Sequence, residues 1–294
     1  MEINDSRKSN NKTTLLVGFD SAWTPNNRGA IVGVFHKRDG TFRELNQPQI
    51  ANFTEASKVI FDWQSIENPA ETIVLLDQPT IVKNATGQRP VENIVASPVS
   101  LRYGGVQPAN ISKVTMFGPS APIWLFLNQF GGAANPLKSI AETKVFESYP
   151  VLAMIALGWI LPDKRATGRL PKYNPRNKKN FSIDDWRYVC GQLSNDIAKR
   201  NLSMLSAWLI DMKSNPAPNK ADQDCLDACI CLLVALHIAE FKDYLMVGDT
   251  DTGYIVAPFE NGLRKELSIR CENTNRDPSK YVRILNRLGA RNIV

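Results

Sequence analysis

Three short apolar runs of this chain each end in an acidic residue, and this feature restricts the fold more than any other. The runs read LLVGFD, IVLLD and KVFE, and they end at Asp20, Asp77 and Glu147. Such runs are typical of strands that are buried on both faces of a parallel sheet. Open α/β sheets bind their ligands at the carboxyl ends of their strands. The pattern therefore predicts an α/β protein with three carboxylates at one edge of its sheet.

A further pair of acids, Asp224 and Asp227, opens the longest apolar helical pattern, residues 222–244. Their three-residue spacing places both side chains on one face of that helix. Carboxylates that lie close together repel and raise one another's pKa, so a cluster of them needs a compensating cation. Oxygen ligands alone suit Mg²⁺ or Mn²⁺ better than Zn²⁺. The chain has only His36 and His237, which argues against a histidine zinc site or a serine–histidine triad.

The five acids together predict phosphodiester cleavage by two metal ions. In that mechanism two cations about 3.5–4 Å apart activate a water and stabilise the leaving oxygen. We expect Asp20, Asp77, Asp224 and Asp227 to bind two Mg²⁺ or Mn²⁺ ions, with Asp20 bridging them. Glu147 is expected either to bind a metal or to orient a water. Each acid alone has an ordinary explanation as a turn or cap residue, but Asp227 lies among apolar neighbours, where an uncompensated charge is costly.

The remaining pattern predicts a mixed central sheet flanked by helices, with loop and helical insertions. Three meandering strands, a helix and a central strand are the order of an RNase H-like half-sheet. The predicted elements are strands at 13–20, 30–35 and 41–45, a helix at 53–63 with Thr54 as its N-cap, a strand at 72–77, helices at 122–130, 149–157, 183–200 and 202–212, and a last strand at 253–258.

The domain prediction follows from these elements and from composition. Residues 1–13 are expected to be a disordered polar tail, and 14–260 a single RNase H-like domain with insertions at 79–120 and 162–181. The first insertion is rich in Pro, Gly, Asn and Ser and is interpreted as a long loop. Residues 261–294 are interpreted as a basic extension packed on the domain, with Tyr281, Ile284, Leu285 and Leu288 at the spacing of a core-facing helix stripe.

The formal net charge of +6 fits a polyanionic partner, and part of the excess lies in one segment that contains no acid. This segment is interpreted either as a nucleic-acid-binding loop, with Tyr173 stacking on a base, or as a solvated insertion. The candidate nucleic-acid-binding residues are Lys164, Arg165, Arg169, Lys172, Tyr173, Arg176, Lys178 and Lys179.

No membrane partner is expected, because the polar first residues lack a signal-peptide core and no run approaches about 18 apolar residues. The five cysteines form no CxxC pair. Together these observations predict a reduced, cytoplasmic protein.

Short motifs in a fixed order add a resemblance. They are GFDSAW from Gly18, DQP from Asp77, ESYP from Glu147, DCLDA from Asp224, and GD followed by GYIVAP up to Pro258. The order resembles the family labelled domain of unknown function 429, which is regarded as a group of predicted nucleases with an RNase H-like fold. The DxxDA motif also resembles the arrangement in RuvC-type resolvases. That second resemblance implies metal ligation by Asp20, Asp77, Asp224 and Asp227.

This chain departs from the usual family pattern at Gln78, where a small residue is common, and in its long basic insertion. Two other functions stay open. A non-catalytic nucleic-acid-binding module would be favoured by loss of carboxylates, and all of them are present. An ATP-dependent phosphotransferase of the actin and sugar-kinase type needs glycine-rich phosphate loops and two domains, and the sequence after Asp20 supplies no such glycine.

Overall fold

A computed structural model of the protein describes residues 13–138, 142–287 and 289–290. Almost all of the predicted polar tail, 1–13, therefore lies outside the described residues. The strands are β1 Thr14–Asp20, β2 Gly29–His36, β3 Phe42–Glu44, β4 Gln49–Ala51, β5 Glu71–Leu76, β6 Thr143–Glu147, β7 Tyr244–Asp249, β8 Gly253–Pro258, β9 Val282–Asn286 and β10 Gly289–Ala290. The helices are α1 Phe53–Glu67, α2 Pro90–Leu101, α3 Val114–Phe117, α4 Pro122–Gln129, α5 Pro150–Ala156, α6 Ile183–Ala198, α7 Ser203–Ser214, α8 Lys220–Ala239, α9 Asn261–Glu272 and α10 Pro278–Tyr281.

The first sheet has the order β3-β2-β1-β5-β6, with β4 also paired to β2. Strands β1, β5 and β6 are parallel to one another, whereas β2 is antiparallel to β1. Alternate side chains of β1 enter two different cores: Leu16 packs with α8, and Leu15 and Val17 pack with α1 and α4. The protein is thus α/β, with a mixed sheet between helices, as predicted.

Helix α8 lies directly on β1 because β1 carries a glycine at the contact. A Cβ atom at Gly18 would lie 2.1 Å from the Ala228 carbonyl oxygen and 2.4 Å from the Leu232 nitrogen. No side chain can occupy that space without a shift of backbone. The close approach places the first turns of α8 beside the carboxyl end of β1, where the predicted site lies.

The second sheet, of order β10-β9-β7-β8, is antiparallel. A single parallel bridge between Ser148 and Val256 joins β8 to the chain just after β6. Beyond β9, the Arg287 guanidinium reaches the start of the first sheet. It donates to Thr14 Oγ1 at 2.7 Å and forms an ion pair with Glu71. The C-terminal segment is therefore part of the folded body.

The predicted helix near the C-terminus is wrong. Residues 282–286 form β9, which pairs with β7, and Leu288 of the proposed stripe lies outside the described residues. Similarly, the helix predicted for 222–244 ends at Ala239, and Tyr244 begins β7. In both places an apolar run is compatible with helix and strand, and the pairing of distant strands decides between them.

The insertion at 79–120 is more regular than its composition suggested. It contains α2, whose Pro90 lies in the first turn, where proline is tolerated, and whose Glu92 carboxylate accepts from the Arg89 backbone N–H. Asn52, rather than Thr54, caps α1. The short strand β4 was not predicted. Among the described residues, no helix has the length and apolar character needed to cross a membrane.

Candidate functional site

A cleft of about 750 Å³ opens at the carboxyl ends of β1, β5 and β6. All five predicted acids line it: Asp20, Asp77, Glu147, Asp224 and Asp227. Asp20 ends β1, Asp77 follows β5 and Glu147 ends β6, while the aspartate pair comes from the first turns of α8. The structure therefore brings together residues that are separated by up to about two hundred positions in the chain.

Backbone hydrogen bonds fix the relative positions of the three strand ends. The Asp77 N–H donates to the Phe19 carbonyl at 2.9 Å, and the Ser148 N–H donates to the Leu76 carbonyl at 2.8 Å. Each parallel ladder thus continues one residue past the strand end, to the residues that carry or neighbour a carboxylate. The start of α8 is fixed by an N-cap at Asn219, whose side chain accepts from the backbone of the first turn.

The carboxylates in the cleft are close enough to repel one another. Burial raises the pKa of Asp20 well above its usual range, and the charges of Asp77 and Asp227 raise it further. Burial also raises the pKa of Asp77, again with a contribution from Asp227. The pKa of Asp227 is raised to about 6, by burial first and by Asp224 to a smaller extent, although Lys220 opposes the shift. Ionised carboxylates are therefore costly at this end of the sheet.

The aspartates differ in the partners that the fold gives them. Asp227 accepts from the Tyr173 hydroxyl at 2.6 Å on Oδ1 and from Gln223 Nε2 at 3.0 Å on Oδ2. Asp224 forms an ion pair through Oδ1 with Lys220. By contrast, the carboxylates of Asp20 and Asp77 accept no hydrogen bond from any residue in the described part of the chain. Both oxygens of each of these two carboxylates are therefore available to a ligand.

Glu147 has a different environment from the aspartates. Both of its oxygens accept from the Arg89 guanidinium, Oε1 at 2.6 Å and Oε2 at 2.8 Å, and Oε2 also accepts from the Thr80 N–H at 3.0 Å. Burial raises the pKa of Glu147, and the guanidinium opposes that shift. The carboxylate lines the cleft, but its hydrogen bonds hold the chain that follows Asp77. This geometry favours orientation of its surroundings over metal ligation.

Arg89 is a site residue that the sequence interpretation missed. Its side chain is 1% exposed. Besides Glu147 it binds the Glu92 carboxylate through Nε at 2.8 Å and the Ile81 carbonyl at 3.0 Å. Gly253, at the start of β8, packs against it, since a Cβ there would lie 2.6 Å from Nη1. The one signal in the sequence was the acid three residues after Arg89, at the start of a helix.

The basic segment 164–179 is used partly within the fold. Arg169 forms a two-point ion pair with Asp185. Arg165 lies over the ring of Tyr103, 3.9 Å from its centre, and Lys172 donates to the Tyr103 carbonyl. Three of the proposed nucleic-acid-binding cations therefore have internal partners.

The structure disfavours the stacking role considered for Tyr173, because its ring is buried and its hydroxyl donates to Asp227. The other members of the set remain on the surface. Arg176 is exposed and lines the cleft, and Lys164, Lys178 and Lys179 are exposed outside it.

Two glutamines bring buried, unpartnered polar atoms to the cleft. Gln78 accepts from the Ser21 hydroxyl, but its Nε2 has no partner in the described part of the protein. Gln223 donates to Asp227, and its Oε1 likewise has no partner there. Buried polar atoms are nearly always paired in folded proteins, so these two atoms point to a ligand of the cleft.

The donor set fits a hard divalent cation, although no metal cage is preformed. Over residues 13–138 and 142–287, no three His, Cys, Asp or Glu side chains are grouped so as to hold a metal ion. Asp20 and Asp77 could still hold Mg²⁺ or Mn²⁺, because Mg²⁺ in proteins commonly takes one or two carboxylates and completes its shell with water and phosphate oxygens.

Fold and site together define an α/β protein with a carboxylate-lined cleft at the end of a mixed sheet. The family described as Protein of unknown function (DUF429) matches residues 18–251, which include all five acids. The chain belongs to this family, as its motifs predicted. Searches of curated proteins and of solved structures gave no match.

Proposed function

We propose that this protein is a metal-dependent nuclease that hydrolyses phosphodiester bonds of nucleic acids in the carboxylate cleft. One observation carries the proposal. Asp20, Asp77 and Asp227 are gathered at one edge of the sheet, where Asp77 and Asp227 raise the pKa of Asp20 and Asp227 raises that of Asp77. The carboxylates of Asp20 and Asp77 have no hydrogen-bond partner within the described residues. Such a cluster destabilises the fold unless a cation binds there, so it is a feature expected of a function and not of stability.

An RNase H-like fold is part of this proposal. The order β3-β2-β1-β5-β6, with β2 antiparallel to three parallel strands, agrees with the half-sheet expected from the sequence. The helix that carries the aspartate pair packs on β1, so that its first turns reach the end of that strand. This placement supports the RuvC-like arrangement of the ligands that the DxxDA motif implied.

The four aspartates would hold two Mg²⁺ or Mn²⁺ ions, beginning with Asp20 and Asp77. A bound pair of cations supplies an activated water and stabilises the leaving oxygen. The chain contributes the positions of the ligands. Tyr173 and Gln223 fix the orientation of the Asp227 carboxylate. Arg89 fixes Glu147, which in turn holds the backbone just after Asp77.

A nucleic-acid substrate is supported by the cations around the cleft. Arg176 lines the cleft, and Lys178 and Lys179, two and three residues after Arg176, are exposed on the protein surface. Exposed cations of this kind bind phosphates without selecting a sequence. The five cysteines are free and buried, which fits action in the reducing cytoplasm.

The test is cleavage of single-stranded, duplex and branched DNA and RNA with Mg²⁺ or Mn²⁺. Asp20→Asn is compared with Asp184→Asn, whose side chain is 85% exposed and lies outside the cleft. We expect cleavage by the wild type and by Asp184→Asn, and a loss of at least about a hundredfold in Asp20→Asn and in EDTA. Cleavage that survives in Asp20→Asn would refute the proposal. Binding without cleavage by the folded wild type would favour the non-catalytic module instead.

A further inference from the structure

Lys220 is a cation in the middle of the acidic cluster. It is the first residue of α8 and lines the cleft together with the four aspartates. Its ammonium forms an ion pair with Asp224, one helical turn further along, while its side chain remains 38% exposed. The positive charge also reaches further, because it lowers the pKa values of Asp20, Asp77 and Asp227. The charge of this one lysine thus stabilises the ionised form of several carboxylates of the cluster.

The free carboxylate oxygens are unevenly distributed. In the described part of the chain, Asp20 and Asp77 have no hydrogen-bond donors on their carboxylates. Asp224 gives one oxygen to Lys220, and each oxygen of Asp227 already accepts a hydrogen bond. A first cation can therefore bind to the free carboxylates of Asp20 and Asp77, at the ends of β1 and β5. A second cation, on the α8 side of the cleft, would have to bind to Asp224 and Asp227, whose carboxylates already have partners.

We propose that Lys220 holds the place of the second cation: one divalent cation binds to Asp20 and Asp77, and a second binds on the α8 side only as the Lys220 ammonium withdraws. The inference rests on the cation site of the proposed function. It makes cation binding sequential, because the ammonium and the second cation compete for Asp224. Lysine suits such exchange, since its charge is carried on a flexible four-carbon stem and is strongly hydrated when exposed.

Gln223 provides independent support for a ligand on the α8 side. Its Oε1 is an unpartnered oxygen on a residue that is 7% exposed and lines the cleft. Its Nε2 is fixed on Asp227, so the amide is held in one orientation. A neutral amide oxygen is an ordinary ligand of hard divalent cations. Once Asp224 is released from Lys220, the side chains of Asp224, Asp227 and Gln223 would provide oxygen ligands for a cation on the α8 side.

The test is a titration with Mn²⁺ alone at pH 7.5, followed by calorimetry and by the electron paramagnetic resonance signal of free Mn²⁺. We expect the wild type to bind one ion tightly and a second at least about tenfold more weakly. In Lys220→Met the second ion should bind at least about tenfold more tightly than in the wild type, equivalent to about 1.4 kcal/mol. Lys220→Arg keeps the charge and should retain the weak second site.

Lys242→Met is the matched control, because Lys242 also pairs with a carboxylate, Glu240, but lies outside the cleft. It should bind Mn²⁺ as the wild type does. Lys220→Gln is a second neutral variant if Lys220→Met does not fold. Unchanged second-site affinity in a folded neutral variant would overturn the inference, as would a wild type that binds two ions equally or none.

Cleavage assays separate this inference from the nuclease proposal. Sequential Mn²⁺ binding that is relieved in Lys220→Met, in a protein that cuts no nucleic acid, would support the inference and reject the nuclease. Cleavage of nucleic acid by a protein that binds two equivalent ions, with no change in Lys220→Met, would support the nuclease and reject the inference.

Discussion

Replacement of Arg89 by methionine tests whether the cleft depends on its buried ion pair. The change removes the guanidinium but keeps an unbranched side chain that extends to about the position of Nε. It leaves Glu147 and Glu92 as buried carboxylates without their cation, and the Ile81 carbonyl without its donor. Both members of the Arg89–Glu147 pair are almost fully buried, with side-chain exposures of 1% and 3%.

The expected loss follows from that burial. Removing one partner of a buried ion pair costs about 3–5 kcal/mol, because the remaining charge stays in a poorly solvated place. Exposed pairs contribute up to about 1 kcal/mol. Arg28–Glu55 is the exposed reference, with side chains 54% and 45% exposed. Since domains are stable by about 5–15 kcal/mol, Arg89→Met should lose a large fraction of the total and Arg28→Met little of it.

Urea unfolding at pH 7.5, followed by tryptophan fluorescence, measures both changes. The double variant Arg89→Met with Glu147→Gln should lose less than the sum of the single changes, because it removes one of the carboxylates left without a partner. If Arg89→Met does not fold, Arg89→Lys replaces it, with a smaller expected loss. A difference of less than about 1 kcal/mol between Arg89→Met and Arg28→Met would show that burial does not set the cost of losing the arginine.

Three further changes test the packing and charges of the site. Gly18→Ala should destabilise the protein by about 1–3 kcal/mol or more in urea unfolding, because the new methyl group meets the Ala228 carbonyl; an unchanged midpoint would contradict this. Asp20→Asn should raise the free energy of unfolding at pH 7.5 in EDTA. Asp20 and Asp227 have raised pKa values in the folded state, so the folded protein binds protons more tightly than the unfolded chain. The free energy of unfolding of the wild type should therefore fall as the pH rises from about 4 through 6, and Asp20→Asn should weaken that fall. Tyr173→Phe removes the hydrogen-bond donor to Asp227, so the free energy of unfolding should fall by about 1.5–3 kcal/mol at pH 7.5 and by less at pH 5. Equal losses at the two pH values would contradict this role of Tyr173.

The sequence predicted the first sheet and the placement of the acids well, for a local reason. Strands β1 and β5 are apolar over most of their length, and β6 carries Val145 and Phe146 directly before its acid. Such runs signal burial on both faces without any knowledge of the neighbouring strands. Each acid follows its run directly, and parallel pairing then places the acids at one edge. The aspartate pair was found in the same way, from spacing on one helix.

Signals in the sequence are weaker where distant partners decide the structure. β9 forms because β7 offers it an edge about forty residues earlier in the chain, and its apolar spacing also fits a helix. The role of Arg89 depends on Glu147, 58 positions away. Tyr173 was considered a base-stacking residue because its neighbours are basic, whereas its hydroxyl donates to Asp227, 54 positions away.

The pairing of β9 has a consequence for work with fragments of this family. The family match stops at residue 251, and the sequence motifs stop at Pro258. A fragment cut at Pro258 would keep every motif, yet it would leave one edge of β7 without its strand partner and Glu71 without Arg287. An uncovered apolar edge strand is a template for aggregation. The segment after Pro258, which carries none of the family motifs, is therefore expected to decide whether the part of the chain before it stays in solution.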